Sequence, residues 1–141
     1  MVGSIDRICF IRWSKRPTLD EVNAVTDAVL AQRRADGRPL ILIAIVRADS
    51  DLPEPSAALQ MVRDAPRIDR AIECGINVLE GNAAPTKLLR GSLQAIANAL
   101  QTPWEVMAER EDGLRRACAM LGLDFATVRA EAIARGLFPE S

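Results

Sequence analysis

The pattern of apolar and polar positions centres on residues 39–46, which read PLILIAIV and form an unbroken apolar run rich in β-branched side chains. A charged segment interrupted by prolines, RADSDLPEP, follows at residues 47–55. The run is too short for a typical helix and shows no alternation, a pattern typical of a strand covered on both faces in a parallel sheet. We therefore predict that residues 39–46 form the central strand.

Three further segments have strand character. Residues 7–13 (RICFIRW) alternate partly and carry β-branched and aromatic side chains. Residues 76–79 and 104–108 are short and mostly apolar. We predict a strand in each segment, with the first strand of the domain at residues 7–13.

Helix signals occupy the intervals between these strands. Thr18 followed by Glu21 forms a capping box, and Gly37 is placed to end the helix that begins there. Ser56 is placed to cap the next helix, which Pro66 should kink or divide because proline lacks an N–H. The remaining predicted helices are a short one over 67–73 ended by Gly75, a long one from Pro85 to residue 101, one capped by Asp112 and ended by Gly122, and a last one from Asp124 to Gly136.

The resulting order is βαβαβαβαα, which predicts an α/β fold with a single four-stranded, mainly parallel sheet and helices on its faces. A chain of 141 residues has the size of one domain. We therefore expect one domain over residues 1–141, with a core at about 7–121 and a C-terminal helix, 124–136, packed on it.

Charge and hydropathy argue against two classes of partner. The chain has 18 basic and 19 acidic residues and a formal net charge of −1, so it lacks the positive excess with which nucleic-acid-binding proteins hold phosphates. No segment reaches the roughly 20 apolar residues that span a bilayer, and residues 1–6 do not resemble a signal peptide. These features predict a cytoplasmic protein with neither nucleic-acid nor membrane partners.

The chain contains no histidine and no tyrosine. Ser-His-Asp and Cys-His nucleophile pairs, histidine zinc sites and the usual near-neutral general base are therefore unavailable. Cys9, Cys74 and Cys118 lie far apart among apolar neighbours, which favours buried reduced thiols over a redox or metal role. We expect a non-enzymatic protein without cofactor or metal.

In α/β folds, ligands and partners gather at the loops after the carboxyl ends of the strands. The loop at residues 47–56 is the most informative, because Asp49, Asp51 and Glu54 offer carboxylates that a hard cation could use. The alternative is a solvated turn stiffened by prolines. The other loops at this edge are residues 14–18, 81–86 and 109–112.

A second candidate site is the turn at Gly81, directly before a predicted helix, where free N–H groups and the helix dipole favour an anion. The alternative is a plain helix-entry turn in which Glu80 pairs with Lys87 or Arg90. The candidate anion-binding residues are Lys15, Arg16, Asn82, Thr86, Lys87 and Arg90.

Residues 91–104 contain no charged side chain. Depletion of charge is a mark of interface cores, and it fits equally a helix packed deeply within the monomer. The first expectation is a homodimer formed through residues 91–101, and the second is burial of this segment within the monomer.

Four segments together resemble the STAS domains, the family of anti-sigma-factor antagonists and sulfate-transporter C-terminal domains, in the divergent form called SpoIIAA-like. The likeness covers roughly residues 8–121 and implies a bacterial regulatory protein with a kinase or switch partner. It also implies an antiparallel first strand, which this chain is expected to lack or to reduce to its first residues. The resembling segments are LILIAIV followed by Asp49-Ser50, INVLEG, PTKLLRGSLQAIANAL and EVMAEREDGLRRA.

The family's regulatory residue is a phosphorylatable serine in a D-S-x-G context at the start of the helix after the central strand. Asp49-Ser50 matches the first two positions here, but the glycine is missing, and Ser56 is the other counterpart. The resemblance therefore implies a partner-binding or regulatory surface at Asp49, Ser50, Ser56 and Leu59.

We predict from these observations a non-enzymatic, cytoplasmic regulatory module that binds another protein through the 47–56 loop and the adjoining helix, and that self-associates if residues 91–101 form an interface. The alternatives are a binding domain for a small anionic ligand or nucleotide, with its pocket at the carboxyl ends of the strands, and an assembly component without regulated switching.

Overall fold

A computed structural model describes residues 1–81 and 102–140 of the chain. Within these residues, five strands form one mixed sheet in the order β1-β2-β3-β4-β5, so the predicted central strand lies at its centre. The elements are β1 (Val2–Ile5), β2 (Ile8–Arg12), α1 (Leu19–Asp36), β3 (Leu40–Val46), α2 (Pro55–Ala71), β4 (Ile72–Leu79), β5 (Trp104–Met107), α3 (Arg110–Leu121) and α4 (Phe125–Ala134).

The α/β class and the parallel pairing of β2 to β5 are confirmed, but the prediction of four strands is wrong. The additional strand is β1, which pairs antiparallel with β2 through a tight turn at Asp6 and Arg7. Asp6 adopts a φ of 52°, and its Oδ1 accepts a hydrogen bond of 2.8 Å from the N–H of Arg7. Of the two expectations for an antiparallel first strand, its absence is wrong, whereas its reduction to the first residues is confirmed, because β1 spans only Val2–Ile5.

The first helix begins and ends where the sequence predicts. The Thr18 hydroxyl accepts a hydrogen bond of 3.2 Å from the Glu21 N–H, and Gly37 ends the helix at a φ of 81°, which favours glycine. The other half of the capping box differs, because the Glu21 carboxylate accepts from the N–H and the hydroxyl of Ser14 at 2.8 and 2.5 Å. Glu21 thereby fixes the turn that leads into α1.

Of the two outcomes predicted at Pro66, a kink or a division, the division is wrong, and so is the separate helix over 67–73, because α2 continues through Pro66 to Ala71. Side chains on both sides of the proline anchor the helix: Asp64 bonds to α1 and Ile68 packs on the core. One hydrogen bond lost at proline is thus outweighed by tertiary contacts. Strand β4 follows at once and includes Gly75, which was expected to end a helix.

Two predicted helix caps are also wrong. Glu54, not Ser56, precedes the first residue of α2, and Pro55 occupies that first position, where its missing N–H costs nothing. Glu109, not Asp112, precedes α3. Neither glutamate makes a side-chain capping bond, so these helices start without the signal on which the sequence prediction depended. By contrast, Asp124 caps α4 as predicted, accepting 3.0 Å from the Thr127 N–H.

Among residues 1–81 and 102–140, two helices cover each face of the sheet. On β3, Ile41, Ile43 and Ile45 join the cluster that packs against α3 and α4. Leu40 and Leu42 join the cluster that packs against α1 and α2. All five side chains are buried, which confirms that both faces of the central strand are covered. None of the helices in the described part of the chain combines the length and the apolar character that crossing a membrane requires.

The close pairing of β4 with β5 depends on a glycine. The Trp104 ring lies directly over Gly75, where an added Cβ would be 2.3 Å from the ring Cε3 atom. Gly75→Ala should therefore destabilise the protein by about 1–3 kcal/mol through overpacking, measured as the free energy of unfolding in urea. The matched background is Trp104→Ala, in which the same glycine substitution should cost clearly less. Equal costs in the two backgrounds would show that the ring contact is not the cause.

Candidate functional site

A groove of about 310 Å³ lies between the sheet and the helices α1 and α2. Its floor includes Leu42 and Ala44 from β3 and Asn77 from β4, while Val25 from α1 and Met61 from α2 form part of its walls. The volume falls at the small end of the roughly 300–1,000 Å³ that is typical of ligand pockets. The lining is mostly apolar, as it is in most small-molecule sites.

The groove has room because the side chains on this face of the central strands are small. Ala44 is paired in register with Asn77, and the next position on the same face of β4 is Gly75. A register shift between β3 and β4, with Glu73 as the extra residue, brings these two β4 positions to the α1 and α2 face. The Trp104 ring occupies the space over Gly75 and forms one end of the groove.

The other end of the groove is formed by the loop over 47–54, which is tied by backbone hydrogen bonds to the turn over 14–17. The N–H of Asp51 donates to the Lys15 carbonyl at 2.7 Å, and the N–H of Glu54 donates to the Pro17 carbonyl at 3.1 Å. These bonds join the loops that follow two adjacent parallel strands. The loop conformation is therefore fixed by the main chain.

Ser50 lies in this loop and lines the groove. Its N–H donates to the Arg47 carbonyl at 3.1 Å, whereas its Oγ atom is buried and has no hydrogen-bond partner among the described residues. Most buried side-chain polar atoms in proteins are hydrogen-bonded. Ser50 thus supplies an unused donor and acceptor at the loop end of the groove.

The groove wall contains a buried carboxylate, that of Asp64 on α2, with a relative exposure of 3%. Its Oδ2 accepts from the Thr26 hydroxyl at 2.8 Å, and its Oδ1 accepts from Gln60 at 2.9 Å and from Arg67 at 2.8 Å. Burial by itself would raise the pKa of Asp64, but the bonds from Arg67, Thr26 and Gln60 together hold that pKa below its usual value. The carboxylate therefore stays ionised and joins α2 to α1.

The four candidate regulatory residues lie in one segment but in different environments. Asp49 is exposed and forms a two-bond ion pair with Arg47, with both distances at 2.8 Å. Ser56 is exposed at the second residue of α2, and Leu59 is 52% exposed on the same helix. Only Ser50 faces the groove.

The candidate anion-binding residues are only partly described. Lys15 and Arg16 are exposed on the 14–17 turn, and no lysine or arginine is among the residues that line the groove in the described part of the chain. The other four residues of the predicted anion site lie outside the described residues. The same is true of the helix predicted from Pro85 and of the predicted interface at 91–101. The members of the set that lie there are Asn82, Thr86, Lys87 and Arg90.

Glu80, for which the sequence suggested Lys87 or Arg90 as a partner, forms an ion pair with Arg110 at the start of α3. Both side chains are largely shielded from solvent, at 22% and 18% exposure. The contact links the end of β4 to the other face of the sheet. Glu80 therefore holds β4 to α3 and is not among the residues that line the groove.

The described residues also bear on thiol chemistry and on metal binding. Cys9, Cys74 and Cys118 are buried and free, as the sequence predicts, and burial raises the pKa of Cys9 to about 12 and raises the pKa of the other two thiols. Residues 1–81 and 102–140 contain no group of three or more acidic or cysteine side chains placed to hold a metal ion.

Sequence reasoning missed Thr26, Asp64 and Asn77. A signal for Asp64 exists, because it falls between Met61 and Ile68 on the stripe of α2 that faces inward. A charged residue at such a position needs a buried partner. Asn77 gave no comparable signal, since its face depends on the register shift in β4.

Comparisons with protein-family models, with curated proteins and with solved structures give no match for this chain. The resemblance to STAS domains therefore stays a prediction from the sequence.

The Asp64 contacts predict how stability depends on pH. A carboxyl whose pKa is lowered in the folded state stabilises the protein above its unfolded pKa of about 3.9, and this contribution is lost as the pH falls through the folded value. Asp64→Asn should destabilise the protein by about 1–3 kcal/mol at neutral pH, and the difference from wild type should shrink on acidification below about pH 4. Urea unfolding at pH 2.5–7 measures both effects.

The matched control is Asp49→Asn, which removes an ion pair whose side chains are 57% and 55% exposed. Its cost should be at most about 1 kcal/mol. A difference between Asp64→Asn and wild type that does not change with pH would contradict the proposed ionisation of Asp64.

Proposed function

We propose that this protein is a non-enzymatic, cytoplasmic regulatory module that binds another protein through the segment that includes the 47–54 loop and the outer side of α2. The observation that carries this proposal is a set of exposed apolar side chains, here named the 52–62 surface: Leu52 at 71%, Leu59 at 52% and Val62 at 71% exposure. Neighbouring apolar side chains left in water are typical of protein-interaction sites.

Helix α2 supports the proposal because it carries apolar side chains on two different faces. Ala57 and Ile68 contact the interior, whereas Leu59 and Val62, three residues apart, share an outward face. An ordinary surface helix has a single apolar stripe directed at the core. A second apolar face is explained by a partner that covers it.

The two serine positions differ in accessibility. Ser56 is exposed in the first turn of α2, where the helix dipole and free N–H groups would stabilise a phosphate. The Oγ of Ser50 is buried, so a kinase would reach it only after the 47–54 loop opened. If the partner is a kinase, we propose Ser56 as the modified residue, as the resemblance to anti-sigma-factor antagonists allows.

Leu59→Asp should abolish retention of the partner in a pull-down from native extract, because it places a charge in the centre of the apolar contact. The matched control is Met120→Asp, which changes an apolar side chain of α3 that is 37% exposed and lies on the opposite face of the sheet. The control should retain the partner, and circular dichroism should show both variants folded. Equal retention by Leu59→Asp and wild type would exclude the 52–62 surface.

A further inference from the structure

We propose that the groove between the sheet, α1 and α2 binds a small uncharged amphipathic molecule, with its apolar body on the floor and a hydroxyl or amide end bonded to Ser50. This proposal is independent of the protein partner, because the groove lies on the inner side of α2 and the 52–62 surface lies on the outer side. None of Leu52, Leu59 and Val62 lines the groove.

The unused hydroxyl of Ser50 is the first argument. The backbone bonds of Ser50 and Asp51 hold the loop in place, and rotation about the Cα–Cβ bond of Ser50, which breaks none of them, can turn the hydroxyl toward a ligand in the groove that Ser50 lines. A buried hydroxyl without a partner is costly, and a ligand group that completes the bond removes that cost. A hydroxyl or amide on the ligand suits this position, since the serine can both donate and accept.

The charge of the lining is the second argument. The charged side chains that line the groove, within the described residues, are those of Asp51 and Asp64, and no lysine or arginine joins them. Among the described residues, an anionic end would therefore meet like charge without a counterion in the lining. A buried ammonium would find the Asp64 carboxylate already bonded to Thr26, Gln60 and Arg67. The Asp51 carboxylate is exposed, so an ion pair with it would be weak.

The shape of the floor is the third argument. Ala44 and Asn77 present short side chains between the walls supplied by Val25 and Met61, and this leaves a space of about 310 Å³ on a face that otherwise resembles a packed core. Interiors seldom contain voids much larger than a water molecule. An apolar chain is the occupant that fits such a floor.

Tryptophan fluorescence can report whether a ligand occupies the groove. It has two tryptophans, Trp13 and Trp104, and both line the groove. A ligand there changes the environment of the indole rings directly. Intrinsic fluorescence therefore measures binding without a label.

The experiment titrates the full-length protein with 1-octanol, octanoate and octylammonium, which share one apolar chain and differ in their polar end. We expect a saturable fluorescence change with 1-octanol and weaker binding of both ions. Ser50→Ala should lower the affinity for 1-octanol roughly 2–10-fold without loss of stability, because it removes a hydroxyl that has no partner in the described residues. Ala44→Phe should fill the floor and abolish binding.

Leu59→Asp is the matched control, and it should bind 1-octanol as wild type does. The pull-down tests the partner surface and the fluorescence titration tests the groove, so a failure of one proposal is distinguished from a failure of the other. The absence of a saturable change with any of the three compounds would overturn the proposal. So would tighter binding of octanoate or octylammonium than of 1-octanol, an unchanged 1-octanol affinity in Ser50→Ala, or full affinity in a folded Ala44→Phe variant.

Discussion

Burial of β3 on both faces is the constraint on which the rest of the structure depends. Its backbone groups are bonded by β2 and β4 on either side, and its side chains enter two separate cores. Because these strands are parallel, each is joined to the next by a crossover that carries the chain back to the starting edge. The loops after β2 and β3 therefore emerge side by side, close enough for Asp51 and Lys15 to share a backbone hydrogen bond.

The two faces of the sheet are built differently. On the side of α3 and α4, Ile43 and Ile76 are fully buried in a continuous core. On the side of α1 and α2, the equivalent central positions are Ala44 and Asn77, so the same sheet leaves a groove there. Polar contacts replace part of the missing apolar contact on this side. The Thr26–Asp64 hydrogen bond holds α1 against α2, and the Trp104 indole donates to Asp69 near the end of α2 at 3.2 Å.

Helix α2 consequently has two surfaces of functional interest, one lining the groove and one facing solvent. Its start is set by Pro55 and by the bond between Glu54 and Pro17, so the same loop that ends the groove also positions the exposed apolar residues. This arrangement relates the proposed ligand site and the proposed partner site through a single helix. The relation is geometric and requires no movement of the fold.

The sequence by itself determined the central strand, the bounds of α1 and the burial of the cysteines, because an apolar run such as 39–46 and a cap such as Thr18 act over a few residues. It also predicted the 47–56 loop as a partner-binding surface, and the structure places Ser50, Asp51 and Pro53 of that loop in the groove lining. It did not determine β1, the passage of α2 through Pro66, the start of β4 at Ile72 or the groove. Each of these depends on contacts between segments distant in the chain: pairing with β2, the bond from Thr26 to Asp64, and the register shift that turns Asn77 toward α1 and α2. Local pattern fixes which residues prefer to be buried or extended, whereas only tertiary packing decides which faces meet and where they leave a space.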